Sequence, residues 1–146
     1  MCISAQKDMS NKKQLQQQLN RYYNTDLPCK EIKRIMGISR EEFKNWVETH
    51  FIEGMNPKNY GKFWQLDHVV PAHLFDFNVE SDVALCFSHF NIIPMVNNDN
   101  RLKSASIHFS IHIIKKRLKT HPRNTILLEL EQMCENEIIS RWDKYM

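Results

Sequence analysis

Glycine is scarce in this chain, with three in 146 residues. Sharp backbone features should therefore be few, and Gly37, Gly54 and Gly61 are each expected to mark a turn. No Cys-x-x-Cys occurs: Cys2, Cys29, Cys86 and Cys134 are scattered, which argues against a structural zinc. Disulfides are not expected in a cytosolic chain, and Cys86 and Cys134 read as buried thiols. No apolar run approaches the length of a membrane span, and no membrane partner is expected. The opening residues, Met-Cys-Ile-Ser-Ala-Gln-Lys-Asp, lack the apolar core of a secretory signal. The expected location is the cytosol of a cell or of an infected cell. Internal repeats are also absent.

What is present fits a soluble globular protein: 42% hydrophobic and 25% charged residues. The length suits one domain over 1–146 with a sizeable core. The net charge of +3 is modest but unevenly spread. Residues 101–123 hold seven Lys or Arg and no acid, residues 51–100 hold two bases and six acids, and the first fifty hold nine bases and six acids. An acidic middle, where a cation can sit, is thus flanked by basic segments, the pattern of a metal site presented to a polyanion. A solvated helix face is the commoner meaning of a charge run.

The apolar spacing predicts several helices. Residues 1–10 read as frayed, and 11–23 as a helix with a stripe at Leu15, Leu19 and Tyr22 or Tyr23. Thr25-Asp26-Leu27-Pro28 should start a second helix that Gly37 ends. Ser39-Arg-Glu-Glu42 is a capping box for a third, through Phe43, Trp46 and Val47 to about Phe51. The pair has a helix-turn-helix cadence, which would make residues 28–50 a DNA reader. Two glutamates at the start of the second of these helices disfavour that reading. Packing through Ile32, Ile35, Phe43, Trp46 and Val47 is the plainer one. Residues 63–70 and 91–95 read as strands around a short helix at 79–88. After them, Ile107, Ile111, Ile114 and Leu118 lie at helical spacing, His121-Pro122 breaks the run, and a last helix at 125–145 carries a seam of Leu127, Leu130, Cys134, Ile138 and Trp142.

The chemistry concentrates between Trp64 and Lys103, where a carboxylate adjoins an imidazole at Asp67 and His68, and Asn91 and Asn100 follow. Phosphodiester hydrolysis needs an activated water, positive charge on the phosphate and help for the leaving oxygen. A neutral imidazole is a base near neutral pH, and hard cations take oxygen ligands such as Asp67 and Asn100. On a strand, Asp67 and His68 point to opposite faces. Alone, an Asp-His pair is usually surface or structure, and Asn97-Asn98-Asp99-Asn100 is usually a turn and helix cap. His73 beside the motif and the His108/His112 pair, four residues apart, are weaker ligand candidates.

Together these residues resemble the HNH endonucleases of the ββα-metal fold, in their short phage and large-virus branch. The match runs from Gly54-Met55-Asn56-Pro57-Lys58-Asn59-Tyr60-Gly61 through Trp64, Asp67, His68 and Pro71, then Phe75-Asp76, Asn91, Pro94, Asn100 and Lys103. It covers roughly residues 30–105. Asn100 stands where many relatives carry histidine, and Val96 replaces a usual tryptophan; the first bears on metal binding, the second on packing.

The resemblance implies a mainly helical α+β protein. N-terminal helices at 1–53 and C-terminal helices at 105–146 flank a ββα-metal (HNH) core at 54–104. It implies His68 as general base, Asp67 and Asn100 as ligands of a divalent ion, Mg²⁺ before Mn²⁺, and Asn91 as the brace holding His68. The products would be a 5′ phosphate and a 3′ hydroxyl. DNA is the expected partner, with RNA left open, and the active species a monomer or homodimer. Lys62, Arg101, Lys103, Lys115, Lys116, Arg117 and Lys119 are the expected phosphate contacts, which give salt-sensitive affinity and little sequence readout. The rival readings are an inactive DNA-binding module and the helix-turn-helix regulator.

Overall fold

The computed structural model describes residues 2–97 and 106–144, with side chains from residue 11 onward. These residues form six α-helices and one two-stranded antiparallel sheet, a mainly helical α+β arrangement.

Helix α1 spans Cys2–Asn24. It begins well before residue 11, where the sequence placed its start. Residues 2–10 contain no glycine or proline, so nothing breaks the helix. Leu15, Leu19, Tyr22 and Tyr23 are its buried stripe. Helix α2 spans Lys30–Met36 and starts later than Thr25, because Pro28 disfavours helical backbone at Leu27 before it and Cys29, at φ −135° and ψ 67°, is not helical either. The Arg40 guanidinium fills that connection: it donates to the Tyr22 and Leu27 carbonyls and lies over the Tyr22 ring. Gly37 ends α2 at φ 74°, its amide donating to the Lys33 carbonyl, a backbone position natural only to glycine. Helix α3 spans Arg40–Thr49, and the Ser39 hydroxyl accepts from the Glu42 amide at 3.1 Å. Ile32, Phe43 and Val47 are buried in the common core, so α2 and α3 turn their apolar faces inward, as the packing reading expected.

Strand β1, Trp64–His68, pairs with β2, Ile92–Val96, in a register that sets Trp64 opposite Val96 and His68 opposite Ile92. Between the strands lie helix α4, Glu80–Cys86, and a 3-10 turn at His89–Asn91. Two five-residue strands make a marginal sheet by themselves. Trp64 anchors this one: it is fully buried among Tyr23, Phe51 and Tyr60, and its indole N–H donates to the Asn56 carbonyl at 2.8 Å.

Helix α5, Ile107–Thr120, is capped by Ser106, and α6, Thr125–Asp143, by Asn124; the two pack on each other. One apolar cluster draws residues from all eight elements. Cys86 and Cys134 are fully buried thiols, as expected. Trp142, placed by its spacing in the seam of α6, is instead 64% exposed. With 19 residues against 14, α6 is the longer of the pair, and Trp142 in its last turn lines an open groove with Ile107 and His108 at the start of α5. No helix among the described residues is long and apolar enough to cross a membrane.

Candidate functional site

His68 is the last residue of β1 and is 5% exposed. Its ring packs edge-on against Phe87 at 5.0 Å. The Nδ1 atom lies 2.9 Å from the Cys86 carbonyl oxygen, and since a carbonyl only accepts, Nδ1 carries a proton. The other ring nitrogen, Nε2, lies 3.0 Å from Oε1 of Gln16, on α1. That oxygen only accepts, so as placed it takes a hydrogen bond from Nε2–H, and Nε2 has a lone pair to offer only when the carboxamide turns its N–H toward the ring or moves away.

Asn91 is fully buried and serves the same carbonyl. Its Nδ2 donates to Cys86 O at 3.0 Å and to Val70 O at 3.3 Å, and its Oδ1 accepts from the Val70 amide at 2.8 Å. Its own carbonyl takes the Val69 amide at 2.7 Å. The Ser110 hydroxyl, on α5, donates to Val69 O at 2.6 Å. The two residues after His68 are thus tied to the turn before β2 and to α5, and the orientation of the imidazole follows from theirs. Polar backbone buried here is satisfied by side chains because the strand pairing ends at His68.

Asp67 points to the opposite side of the strand and is half-buried, as strand alternation requires. Its Oδ1 accepts from the His68 amide at 2.8 Å, which fixes the carboxylate beside the imidazole-bearing residue. An anionic oxygen held at that spot suits a hard cation. Asn100, Arg101 and Lys103 lie outside the described residues. Among the described residues there is no cluster of three or more His, Cys, Asp or Glu side chains that could hold a metal ion. His73, His108 and His112 are exposed and belong to no such cluster.

Lys62, Lys115, Lys116 and Lys119 are exposed. Arg117, grouped with them by sequence as a phosphate contact, is not: it is 6% exposed, donates through Nη1 to the Phe90 carbonyl, and lies 5.2 Å from the centre of the Trp46 ring. Burial lowers its pKa to about 10. It therefore works as an internal tie between α5, α3 and the turn before β2, and leaves the basic face to the lysines.

Around Trp46 gathers a second polar-aromatic cluster that the sequence did not announce. His50, His89, Phe90 and His121 all contact the indole ring. Burial first, then the nearby Arg117 charge, push the His89 pKa down to about 4; burial likewise lowers that of His50. Gln16 was missed as well. It lies 52 residues from His68 in a run of glutamines with nothing to mark one of them.

No family model matches the chain, and no solved structure matches it. Two proteins of Acanthamoeba polyphaga mimivirus are similar to parts of it. Uncharacterized protein L426 is 33% identical over 78 residues, which are 53% of this chain and 34% of that protein. Uncharacterized protein L246 is 32% identical over 71 residues, 49% of this chain and 31% of that protein. The chain thus spans about a third of the length of these relatives, and neither name carries an activity.

Proposed function

We propose that this chain is an HNH-type, metal-dependent endonuclease acting on the phosphodiester bonds of nucleic acid, with DNA as the substrate. The reading rests on the resemblance of the motif residues, and one observation supports it above the others. The Nδ1 side of His68 is committed to a carbonyl that Asn91 also holds, so Nε2 is the nitrogen that can serve proton transfer once Gln16 gives way. In this mechanism His68 Nε2 takes a proton from water as the water oxygen attacks phosphorus in line. The bond to the 3′ oxygen breaks, solvent supplies that oxygen with a proton, and a 5′ phosphate and a 3′ hydroxyl result. Asp67 and Asn100 would hold a divalent ion, Mg²⁺ or alternatively Mn²⁺, which supplies positive charge against the phosphate oxygens when bound. Asn91 keeps the ring aligned. Exposed Lys62, Lys115, Lys116 and Lys119 contact phosphates at a distance from the chemistry.

The test is cleavage of supercoiled plasmid with Mg²⁺, with Mn²⁺ and with EDTA, wild type beside His68→Ala. Metal-dependent nicking or linearisation by the wild type, reduced on the order of 100-fold or more in the variant, is expected for a lost general base. Equal cleavage by both proteins overturns the assignment of His68.

A second reading keeps the basic face and drops the catalysis: a nuclease-like module that only grips nucleic acid. The near-complete burial of His68 favours it. Salt-sensitive binding with no cleavage by either protein in the same experiment is its signature. A helix-turn-helix regulator has less support, because α2 and α3 bury Ile32, Phe43 and Val47 and the first turn of α3 carries Glu41 and Glu42.

A further inference from the structure

We infer that Gln16 is a latch on the catalytic imidazole: in this structure its side chain occupies the place that the attacking water must take. The inference rests on the nuclease reading above and concerns how the same site is held in check.

The geometry is specific. A nitrogen has one in-plane direction along which it can accept a proton. For His68 the Nδ1 direction ends on the Cys86 carbonyl and the Nε2 direction ends on Gln16, at 2.9 and 3.0 Å. A gap of 3.0 Å is a direct contact with no room for water between the atoms. His68 is 5% exposed, so no other face of the ring is open to a nucleophile. Proton abstraction by Nε2 therefore requires the Gln16 side chain to move first.

Gln16 is built to move. It is half-buried at the edge of α1, and its carboxamide nitrogen has one further partner, Asn20 Oδ1, at a long 3.5 Å. The helix beneath it is fixed independently. Leu15, Leu19, Tyr22 and Tyr23 are buried, and Gln18 accepts from the Ile32 amide at 3.2 Å. A rotation about the Gln16 side-chain bonds opens Nε2 while α1 stays docked. As placed, the carboxamide oxygen accepts from Nε2–H of the protonated ring; turned over, the same group donates its N–H to Nε2 of the neutral ring. That makes the closed arrangement stable in the absence of substrate. Position 16 thereby sets what fraction of molecules has a base exposed to water.

The experiment reads the latch in two ways. Diethyl pyrocarbonate acylates accessible, unprotonated imidazole nitrogen, and peptide mass spectrometry follows its rate at His68 without any need for activity. Cleavage of plasmid in the presence of Mg²⁺ is measured on the same proteins. Alanine is a better helix former than glutamine, so Gln16→Ala retains α1, and circular dichroism verifies it. Removing one hydrogen bond of ordinary net strength should raise both the labelling of His68 and the cleavage rate roughly fivefold. Gln16→Glu, which keeps an oxygen at the same reach, should leave labelling no faster than in the wild type. Unchanged labelling of His68 in a folded Gln16→Ala protein overturns the contact. Faster labelling with slower cleavage overturns the latch and makes Gln16 a positioning residue. Faster labelling with no cleavage by either protein overturns the nuclease reading, and with it the latch as a control on cleavage.

Discussion

His68 and Asn91 share one acceptor: the imidazole Nδ1 and the amide Nδ2 both converge on the Cys86 carbonyl oxygen, at 2.9 and 3.0 Å. Asn91 therefore acts on the imidazole through a third residue's backbone. Asn91 makes no direct hydrogen bond to the ring among the described contacts, and the ring's orientation still depends on it.

Asn91→Ala should accordingly cost stability and alignment together. It leaves the Val70 amide and carbonyl unpaired in a buried place, and an unsatisfied buried polar group costs about 1–3 kcal/mol. A loss of about 2–4 kcal/mol in urea unfolding is expected. Asn91→Asp should be at least as harmful, because a carboxylate would face the Val70 and Cys86 carbonyl oxygens. A wild-type urea midpoint for either variant would contradict the brace.

Arg117 and its lysine neighbours should separate cleanly by experiment. Arg117→Ala removes a buried tie to Phe90 O and Trp46, and should destabilise the fold by about 2–4 kcal/mol, the range for a large truncation in a core. Lys115→Ala, Lys116→Ala and Lys119→Ala should leave the urea midpoint within about 0.5 kcal/mol of wild type. Each that contacts a phosphate should weaken nucleic-acid binding and reduce the salt slope by about 0.9. Equal effects of all four on stability would refute the division.

The Trp46 cluster predicts an acid limb in stability. In the unfolded chain His89 titrates near its ordinary 6.5, whereas in the fold it stays neutral down to about 4. The unfolded state thus binds more protons between these values, so stability falls as pH drops from about 6.5 toward 4. His50, shifted the same way, adds to the fall. His89→Phe keeps an aromatic ring against Trp46 and Phe90 and removes the titration. Its melting temperature should decline less steeply over that range. An acid limb identical to wild type would show that the drop originates elsewhere.

Cys86 and Cys134 should resist thiol reagents in the native protein. Both are fully buried, and burial first raises their pKa values to about 12 and about 11. Peptide mapping after a short pulse of 5,5′-dithiobis(2-nitrobenzoate) should find neither residue modified, and both modified in urea. Rapid native labelling of Cys86 would mean that the wall behind His68 opens readily.

Much of the local structure is written in the sequence, because its signals are local. Gly37 ends α2, Ser39 caps α3, and the alternation around Asp67 and His68 gives the strand and its two faces. The brace at Asn91 was legible only through its place in a motif. Arg117 was misassigned on charge alone, although its phase held the answer. Ile107, Ser110, Ile114 and Arg117 follow one another at spacings of three, four and three, and all four are buried on one face of α5. The inward face was the better guide than the run of like charges. Gln16 carried no signal of any kind, since a contact across 52 residues depends on how α1 docks and not on what surrounds it in the chain.

The hydroxyl of Ser110 reaches the carbonyl of Val69, 41 residues earlier in the chain. During synthesis, β1 and its imidazole are made before that hydroxyl exists. The strand end next to His68 lacks one of its fastenings until α5 has been made. Full alignment of His68 thus waits on the synthesis of α5, and a nascent chain that stops short of α5 carries every residue of the Asp-His pair without the finished geometry.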